Sequence, residues 1–583
     1  MKILLTTLNS KFIHSSLSLR YLRNYTKDKF SDIHIEEYTV NNGLDYILRE
    51  IYMKNYDVVC FGCYIWNVDQ TLEIAKDLKK VNKNVKILLG GPEVSYNPSD
   101  VLKEHDYVDY IIFGEGEVTT EKLFDFLVNK KGNIKEIEGL AFRDGNDTYK
   151  NNERPLIKNL DDIPFPYGDL AELENRIIYY ESSRGCPFNC QYCLSSTLQG
   201  VRYFSIERIK KDLKKFVDAD VKQVKFVDRT FNADKHHCLE IMKYIEEIDN
   251  GRINFHFEIT ASLIDDEILD YLKNTRRGLF QFEVGVQSTY EKTLKEIRRN
   301  MDFEKIKYVI KKLASYNNIH LHLDLIAGLP YEDYKTFLAS FDDVYSLKPN
   351  KIQLGFLKLL KGSGVRVNSD KYGYIYKDRS PYEVMSNDYI TYGEILRLKL
   401  IEEMVDEYYN SHHFDFSVEF IIANNFERPS RFFESLYEFW ESLGYHHVSH
   451  KKEELYRVLL KFYRHNNFDR EDEFREVLKF DYLRNKRGNL PDIFDTIILE
   501  DFKNRCHKFL QEEENLERYL PKFTGIPAKR IINKTHFETF KYDILQLIID
   551  PTQKSLQEET TILFNYEVEN KDFGRSRYMK IEI

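Results

Sequence analysis

No apolar run in the 583-residue chain approaches the roughly 18–20 residues that a membrane-spanning helix needs. The opening MKILLTTLNSKFIHSS turns polar after Leu5 and offers no core for a signal peptide. Lysine and arginine form no block: 85 basic and 95 acidic residues are interspersed, for a net charge of −10. Such a chain lacks the electrostatic footprint that tracks phosphates, so no nucleic-acid partner is expected. With 14 prolines and 25 glycines, there is little room for a long disordered tail. Only seven cysteines occur, an odd number that argues against a disulfide framework. A folded cytoplasmic protein without a membrane span is the expectation.

What is present is enough for several cores. At about 150 residues per domain the length suggests three to four domains, and 42% apolar residues can fill them. Over residues 1–135 short apolar runs (Lys2–Leu5, His34–Tyr38, Asp57–Phe61, Val85–Leu89, Tyr110–Phe113) alternate with helical periodicity such as Gln70–Val81. Strand–helix alternation predicts a doubly wound, Rossmann-like parallel sheet whose ligands sit in the loops after the strands. Residues 136–175 read as a linker: two short strand-like pieces are followed by NLDDIPFPYGDL, whose Pro164 and Pro166 break regular structure. Alternation resumes over 176–375 with six strand candidates, which predicts a partial or full β/α (TIM) barrel with its chemistry at the strand C-termini. Residues 376–583 are mainly helical, with a strand-like end from Thr560. No repeat or low-complexity segment is present.

Three of the seven cysteines crowd into Glu181-Ser-Ser-Arg-Gly-Cys186-Pro-Phe-Asn-Cys190-Gln-Tyr-Cys193, directly after a predicted strand. Zinc usually completes four protein ligands, and no fourth Cys or His stands at a suitable spacing. Three thiolates instead suit a four-iron cluster with one iron open to an outside ligand.

This loop resembles the signature of the radical S-adenosylmethionine (SAM) family, with Tyr192 as the aromatic before the third cysteine. The resemblance runs through residues 225–330. It implies that Cys186, Cys190 and Cys193 hold a [4Fe-4S] cluster whose open iron binds SAM and cleaves it to a 5′-deoxyadenosyl radical. It also implies an external electron donor of the flavodoxin or ferredoxin type. Asp228 in DRTFN resembles a family segment near SAM and substrate. Glu258 and Glu283 are carboxylates in otherwise apolar strands, where they need partners; SAM would supply them, or a neighbouring strand would. Gln287 and Ser288 resemble the family's GxQS segment, and DLIAGLP with Asp324 is similar to another.

The front domain adds GCYIWN, GGPEVS and GEGE loops, and no Walker lysine follows them. Glycines there let a ligand approach the backbone, and residue types alone leave nucleotide, flavin and cobalamin open. Combined with the cluster loop, the order resembles cobalamin (B12)-binding radical SAM proteins with a C-terminal domain of unknown function. That resemblance implies cobalamin contacts by Gly90, Gly91, Pro92, Glu93, Gly114, Glu115, Gly116 and Glu117, with Trp66 and Asn67 near the upper corrin face. The D-x-H-x-x-G cobalt-ligand motif is absent. His14 in KFIHSS is the candidate in its place, and more readily a hydrogen-bonding loop histidine. Cys60 and Cys63 form a CxxC that is either redox-active or simply buried.

The expected activity is methyl transfer to an unactivated carbon of a small-molecule or peptide substrate, with methylcobalamin as donor. Alternatives are a radical cyclase, oxidoreductase or rearrangement enzyme, an RNA methylthiotransferase, or a non-enzymatic cobalamin or redox sensor. The methylthiotransferase reading is disfavoured because the front domain has two cysteines where that family resembles a three-cysteine site.

Overall fold

In the computed structural model the N-terminal apolar runs become the strands β1 (Ile3–Asn9), β2 (Ile33–Thr39), β3 (Val58–Gly62), β4 (Lys86–Gly90) and β5 (Tyr110–Ile112). They lie parallel in the order β2-β1-β3-β4-β5. Period-2 alternation distributes their side chains between two cores. Leu4, Leu8, Val59 and Phe61 pack on one face, and Ile3, Leu5, Val58 and Cys60 on the other. A sheet buried on both faces reads as continuous apolar sequence, which is why these strands were visible in it.

Two further strands, β6 (Leu140–Asp144) and β7 (Asp147–Lys150), extend the sheet as an antiparallel hairpin beside β5. The expected linker 136–175 therefore starts inside the sheet. Leu140 and Phe142 are fully buried, and Phe113 N–H bonds to Gly139 O at 2.9 Å.

A second parallel set follows: β8 (Ile178–Tyr180), β11 (Gln223–Phe226), β12 (Asn254–Ile259), β13 (Phe280–Gln287) and β14 (His320–Ala327), adjacent in that order. Between β8 and β11 a separate hairpin forms from β9 (Ser183–Cys186) and β10 (Gly200–Tyr203). Phe255, Phe257, Phe280, Phe282 and Leu323 are buried on one face, and polar residues alternate with them on the other.

The structure describes residues 1–197, 200–447, 450–497, 499–555, 557–567 and 577–583. It divides into two compact units: Met1–Tyr334 with Gly355–Tyr392, and Lys335–Leu354 with Gly393–Ile583. Front sheet and barrel strands thus share the first unit. Residues 335–354, expected within the barrel segment, group with the C-terminal part through local packing. Phe341 meets Phe433 edge-on at 5.6 Å, and the Tyr345 hydroxyl donates to Glu419 at 2.6 Å.

The second unit is mainly helical, as expected, with long helices such as Tyr392–Val405, Pro429–Ser442, Lys452–His465 and Glu471–Asn485. Thr535–Phe540, Thr560–Asn565 and Arg577–Ile581 form an antiparallel sheet. Part of the stretch expected to be strand-like, residues 568–576, lies outside the described residues. No helix among the described residues is long and apolar enough to cross a membrane.

Candidate functional site

The strand order of the front sheet reverses between β1 and β3, so the loops after these strands part and leave a crevice at their carboxyl ends. A cavity of about 740 Å3 lies there, toward the upper end for small-molecule sites. Its front wall includes His14, Trp66, Gly90, Gly91 and Pro92 together with Gly114, Gly116 and Glu117. Its other wall comes from the barrel mouth: Tyr179, Glu181, Arg184, Lys225, Arg229 and Glu258. One space thus joins the loops expected to hold cobalamin to the strand ends expected to hold SAM.

The geometry of the front wall follows from backbone constraints. Gly91 has φ +107°, and a Cβ there would meet Cys63 O at 2.5 Å. Only glycine satisfies both conditions. Trp66 is 47% exposed, stacks on Tyr64 at 4.6 Å and donates Nε1–H to Leu8 O at 3.0 Å. The His14 Nδ1 lies 2.6 Å from the Tyr179 hydroxyl, and burial, with Lys11 and Lys225 nearby, lowers its pKa. It is a hydrogen-bonded loop histidine on the cavity wall.

Three front residues singled out in the sequence do not line the cavity. Asn67 is buried; its Nδ2 lies 3.0 Å from Thr7 Oγ1, Leu8 O and Gly62 O, and its Oδ1 accepts Tyr64 N–H at 2.8 Å. It pins the GCYIWN loop between β1 and β3. Glu93 is buried, accepts the Tyr382 hydroxyl at 2.9 Å and has Lys361 Nζ 3.7 Å away. Glu115 accepts Arg202 Nη2–H at 2.7 Å and Ile157 N–H at 2.7 Å, with Arg184 at 3.3 Å. Burial opposes its ionisation, but these partners prevail and hold its carboxyl below the ordinary range.

Arg184 is the hub of that loop. Besides Glu115 it reaches Glu117 at 2.6 Å and Glu181 at 2.8 Å, and its guanidinium lies 5.6 Å from the Tyr21 ring centroid. The acidic residues of the GEGE loop thus fasten the residue immediately before Gly185-Cys186. Sequence spacing could not reveal this pairing, because the arginine and its front-sheet partners lie on separate loops.

Gly185 has φ +102°, and a Cβ would fall 2.0 Å from Gly200 O across the β9–β10 hairpin. The cysteine loop leaves this hairpin at Cys186, whose Sγ lies 3.7 Å from Thr230 Oγ1. Gln191 N–H bonds to Ile297 O and its carbonyl accepts Val365 N–H, both at 2.9 Å, and Cys193 Sγ accepts Ser195 N–H at 3.4 Å. Arg299, unmarked in the sequence, donates to the Tyr192 hydroxyl at 3.1 Å and approaches Cys190 Sγ at 3.7 Å; it also bonds Gly285 O. Burial pushes the Cys190 thiol up, and this guanidinium opposes the shift. Among the described residues, one set of three potential metal ligands converges within 4.8 Å, and it is not the thiol trio.

Cys60 and Cys63 are fully buried in the front sheet. Burial, with Glu93 near Cys63, pushes the Cys63 thiol up to about 12, and burial raises Cys60 as well. Neither is a reactive thiol at neutral pH. Cys238 and Cys506 are likewise buried.

On the barrel side, Glu258 lines the cavity, and burial, reinforced by Glu283, raises its pKa. Glu283, its register partner on the next strand, does not line the cavity; although burial opposes its charge, His256 and Lys225 hold its carboxyl well below the ordinary range. Asp228 is occupied elsewhere: it accepts Ser182 N–H at 3.0 Å and the Ser182 hydroxyl at 2.6 Å, together with the Ser183 hydroxyl. Ser288 is buried, donating to Glu332 at 2.6 Å and accepting Tyr290 N–H at 3.0 Å. Asp228 and Ser288 thus hold the barrel rim. Gln287 differs. It has φ +72° at a β-bulge, and its buried Oε1 has no hydrogen-bond partner among the described residues. Strain and an orphaned acceptor together mark a ligand position. Lys225 and His256, also missed, carried the signal that flagged Glu258: a polar residue inside an apolar strand.

Residues 3–124 match the family described as B12 binding domain, residues 180–344 the radical SAM superfamily, and residues 370–564 a family described as a protein of unknown function, DUF4080. The cobalamin-dependent radical SAM methyltransferase TokK of Streptomyces tokunonensis is 28% identical over 303 residues, covering 48% of this chain and 44% of the relative. An anaerobic magnesium-protoporphyrin IX monomethyl ester cyclase of Synechocystis sp. is 28% identical over 256 residues, covering 41% and 49%. The chain spans about half the length of such curated relatives. The structure of OxsB, a cobalamin-dependent SAM radical enzyme with aqua-cobalamin and SAM bound, superposes with a TM-score of 0.58 at 14% identity, over 83% of this chain and 78% of that one. The fold is therefore shared, and the domain matches assign a [4Fe-4S] cluster, SAM and cobalamin as cofactors. The thiol loop, the glycine-lined crevice and the orphaned Gln287 oxygen fit those groups, and the chain combines a B12-binding domain with a radical SAM domain.

Proposed function

We propose that the chain catalyses methyl transfer to an unactivated carbon of a small-molecule or peptide substrate. The cavity shared by the front loops and the barrel mouth carries this reading, because both cofactor domains open on the same space. When bound, the cluster and SAM supply an organic radical, and the corrinoid supplies a transferable methyl group.

The chain's own residues bind, orient and shield. Cys186, Cys190 and Cys193 would hold the iron, with Arg299 countering thiolate charge. Gly90, Gly91, Gly114 and Gly116 would let the corrinoid lie close to the backbone, with Trp66 and Tyr64 as an aromatic wall. Glu258 and Gln287 would take the polar groups of SAM. Arg184, clamped by Glu115, Glu117 and Glu181, keeps the cluster loop beside the crevice. Reducing equivalents would come from a flavodoxin- or ferredoxin-type donor.

A second reading, radical cyclisation or oxidation, is favoured by the similarity to the Synechocystis cyclase. The RNA methylthiotransferase reading loses support, since Cys60 and Cys63 are buried in the sheet with raised pKa values. The test is to incubate reconstituted protein anaerobically with SAM, hydroxocobalamin, a reductant and candidate substrates. Methyl transfer yields S-adenosylhomocysteine together with 5′-deoxyadenosine. Deoxyadenosine without S-adenosylhomocysteine during substrate turnover overturns methyl transfer in favour of the second reading.

A further inference from the structure

Reduction at the thiol loop needs a protein that delivers one electron at a time, and because tunnelling falls steeply with distance, that protein has to dock on surface adjoining the loop. Pro187 and Asn189 expose the loop to solvent between its first two cysteines. Two neighbouring segments are bonded to its backbone: Gln191 N–H donates to Ile297 O, just after the helix Glu291–Glu296, and Gln191 O accepts Val365 N–H from the helix Gly364–Val367, both at 2.9 Å. The segments also hold each other, since Glu296 pairs with Lys371 and accepts the Tyr372 hydroxyl at 2.6 Å. None of these residues lines the cavity. They frame the loop outside the substrate space.

The two segments are cationic, on a chain of net charge −10. Lys292, Lys295, Arg298 and Lys371 are exposed and Arg366 is half-buried, set against the carboxylates of Glu291, Glu296 and Asp370. Lys371 neutralises Glu296, whereas Lys292, Lys295 and Arg298 have no ion-pair partner among the described residues. Val367, 68% exposed, adds an apolar side chain. Arg298 supplies an independent observation. It follows the helix end at φ +53°, the left-handed position that glycine or asparagine fills with least strain. The turn gains nothing from an arginine, and the neighbouring Arg299 already reaches Cys190. What Arg298 adds is an exposed charge beside Ile297, which bonds the cluster loop.

We propose that this face docks an acidic flavodoxin-type protein. Such a donor carries carboxylates around the apolar edge of its flavin, complementary to the cations and to Val367. One electron leaves the flavin hydroquinone and enters the oxidised cluster, and no bond forms or breaks. The inference rests on the reading that Cys186, Cys190 and Cys193 hold a cluster served by an outside donor.

The test is binding of oxidised flavodoxin to the full-length, cluster-reconstituted protein, followed by biolayer interferometry over a range of NaCl. Affinity should fall as salt rises. Lys295→Glu and Arg298→Gly should each weaken it by about threefold or more, and Lys103→Glu, on the front-domain helix Pro98–Glu104, should not. Because glycine relieves the turn at 298, a loss there does not come from strain. Stopped-flow reduction by flavodoxin hydroquinone should slow in the same two variants, with reduction by dithionite unchanged. Affinity indifferent to salt and to both variants, an equal loss in Lys103→Glu, binding of a ferredoxin alone, or a matching slowdown with dithionite overturns the proposal. Iron content and dithionite-driven SAM cleavage on the same samples separate the two failures: their absence is failure of the underlying reading, and absent docking with both intact is failure of this inference.

Discussion

Arg299 places a guanidinium 3.7 Å from Cys190 Sγ. At an effective dielectric of about 20, a unit charge at about 4 Å is worth on the order of 4 kcal/mol, a ceiling for an interaction spread over a whole cluster. Since the positive charge favours the reduced cluster, Arg299→Gln should lower its midpoint potential by on the order of 50 mV, with Arg299→Lys in between. An EPR-monitored redox titration reads this directly, and an unchanged potential removes Arg299 from the cluster's electrostatics. His413, in the second unit, gives a pH prediction. Burial, with Lys452 and Arg484, pushes its pKa down to about 4 from 6.5. Between those values the unfolded chain binds a proton that the folded chain does not, so stability falls as pH drops from 6.5 to 4 and this contribution then levels. Discounted for partial exposure, the loss is on the order of 1 kcal/mol. Urea midpoints at pH 7.5 and 4.5 should differ less for His413→Gln than for the parent. At this scale the sequence disclosed what is contiguous. Three cysteines in eight positions are legible, whereas Arg299 is not, because it follows β13 and acts on a loop that follows β9.

At the scale of elements, the β9–β10 hairpin and the GEGE loop set the position of the cluster loop. Gly185→Ala would put a methyl group on Gly200 O in a left-handed backbone conformation, a strain of at least about 1 kcal/mol before the clash. Iron retained per chain should fall while cobalamin binding persists; full iron retention would show that the hairpin does not set the loop. Arg184→Met leaves Glu115, Glu117 and Glu181 with a missing counter-charge and should destabilise the first unit by about 3 kcal/mol, read as a lower denaturant midpoint. An unchanged midpoint contradicts the clamp. The front strands, buried on both faces, were legible as apolar runs, and the barrel strands, apolar on one face, by their alternation with helices. The β6–β7 hairpin shows in the sequence as two short strand-like pieces, but nothing local tells that they join the front sheet, since β7 (Asp147–Lys150) is short and exposed. The glutamates of GEGE were legible as a loop near a ligand, yet their arginine partners come from another part of the chain, which no local pattern discloses. Asp228 and Ser288 show the same limit: a motif marks the rim of the barrel, while the hydrogen bonds decide which of its residues face the cavity.

At the scale of the whole molecule, the first unit combines a doubly wound sheet and a parallel barrel around one cavity, and the second adds helices of a family without a described role. The account rests on a thiol loop that leaves one iron open beside that cavity. The most direct measurement is EPR of the anaerobically reconstituted, dithionite-reduced protein, before and after SAM, with iron counted on the same sample. About four irons per chain and g-values that shift on adding SAM are predicted. Zinc in place of iron, or a reduced cluster whose spectrum is indifferent to SAM, would contradict it.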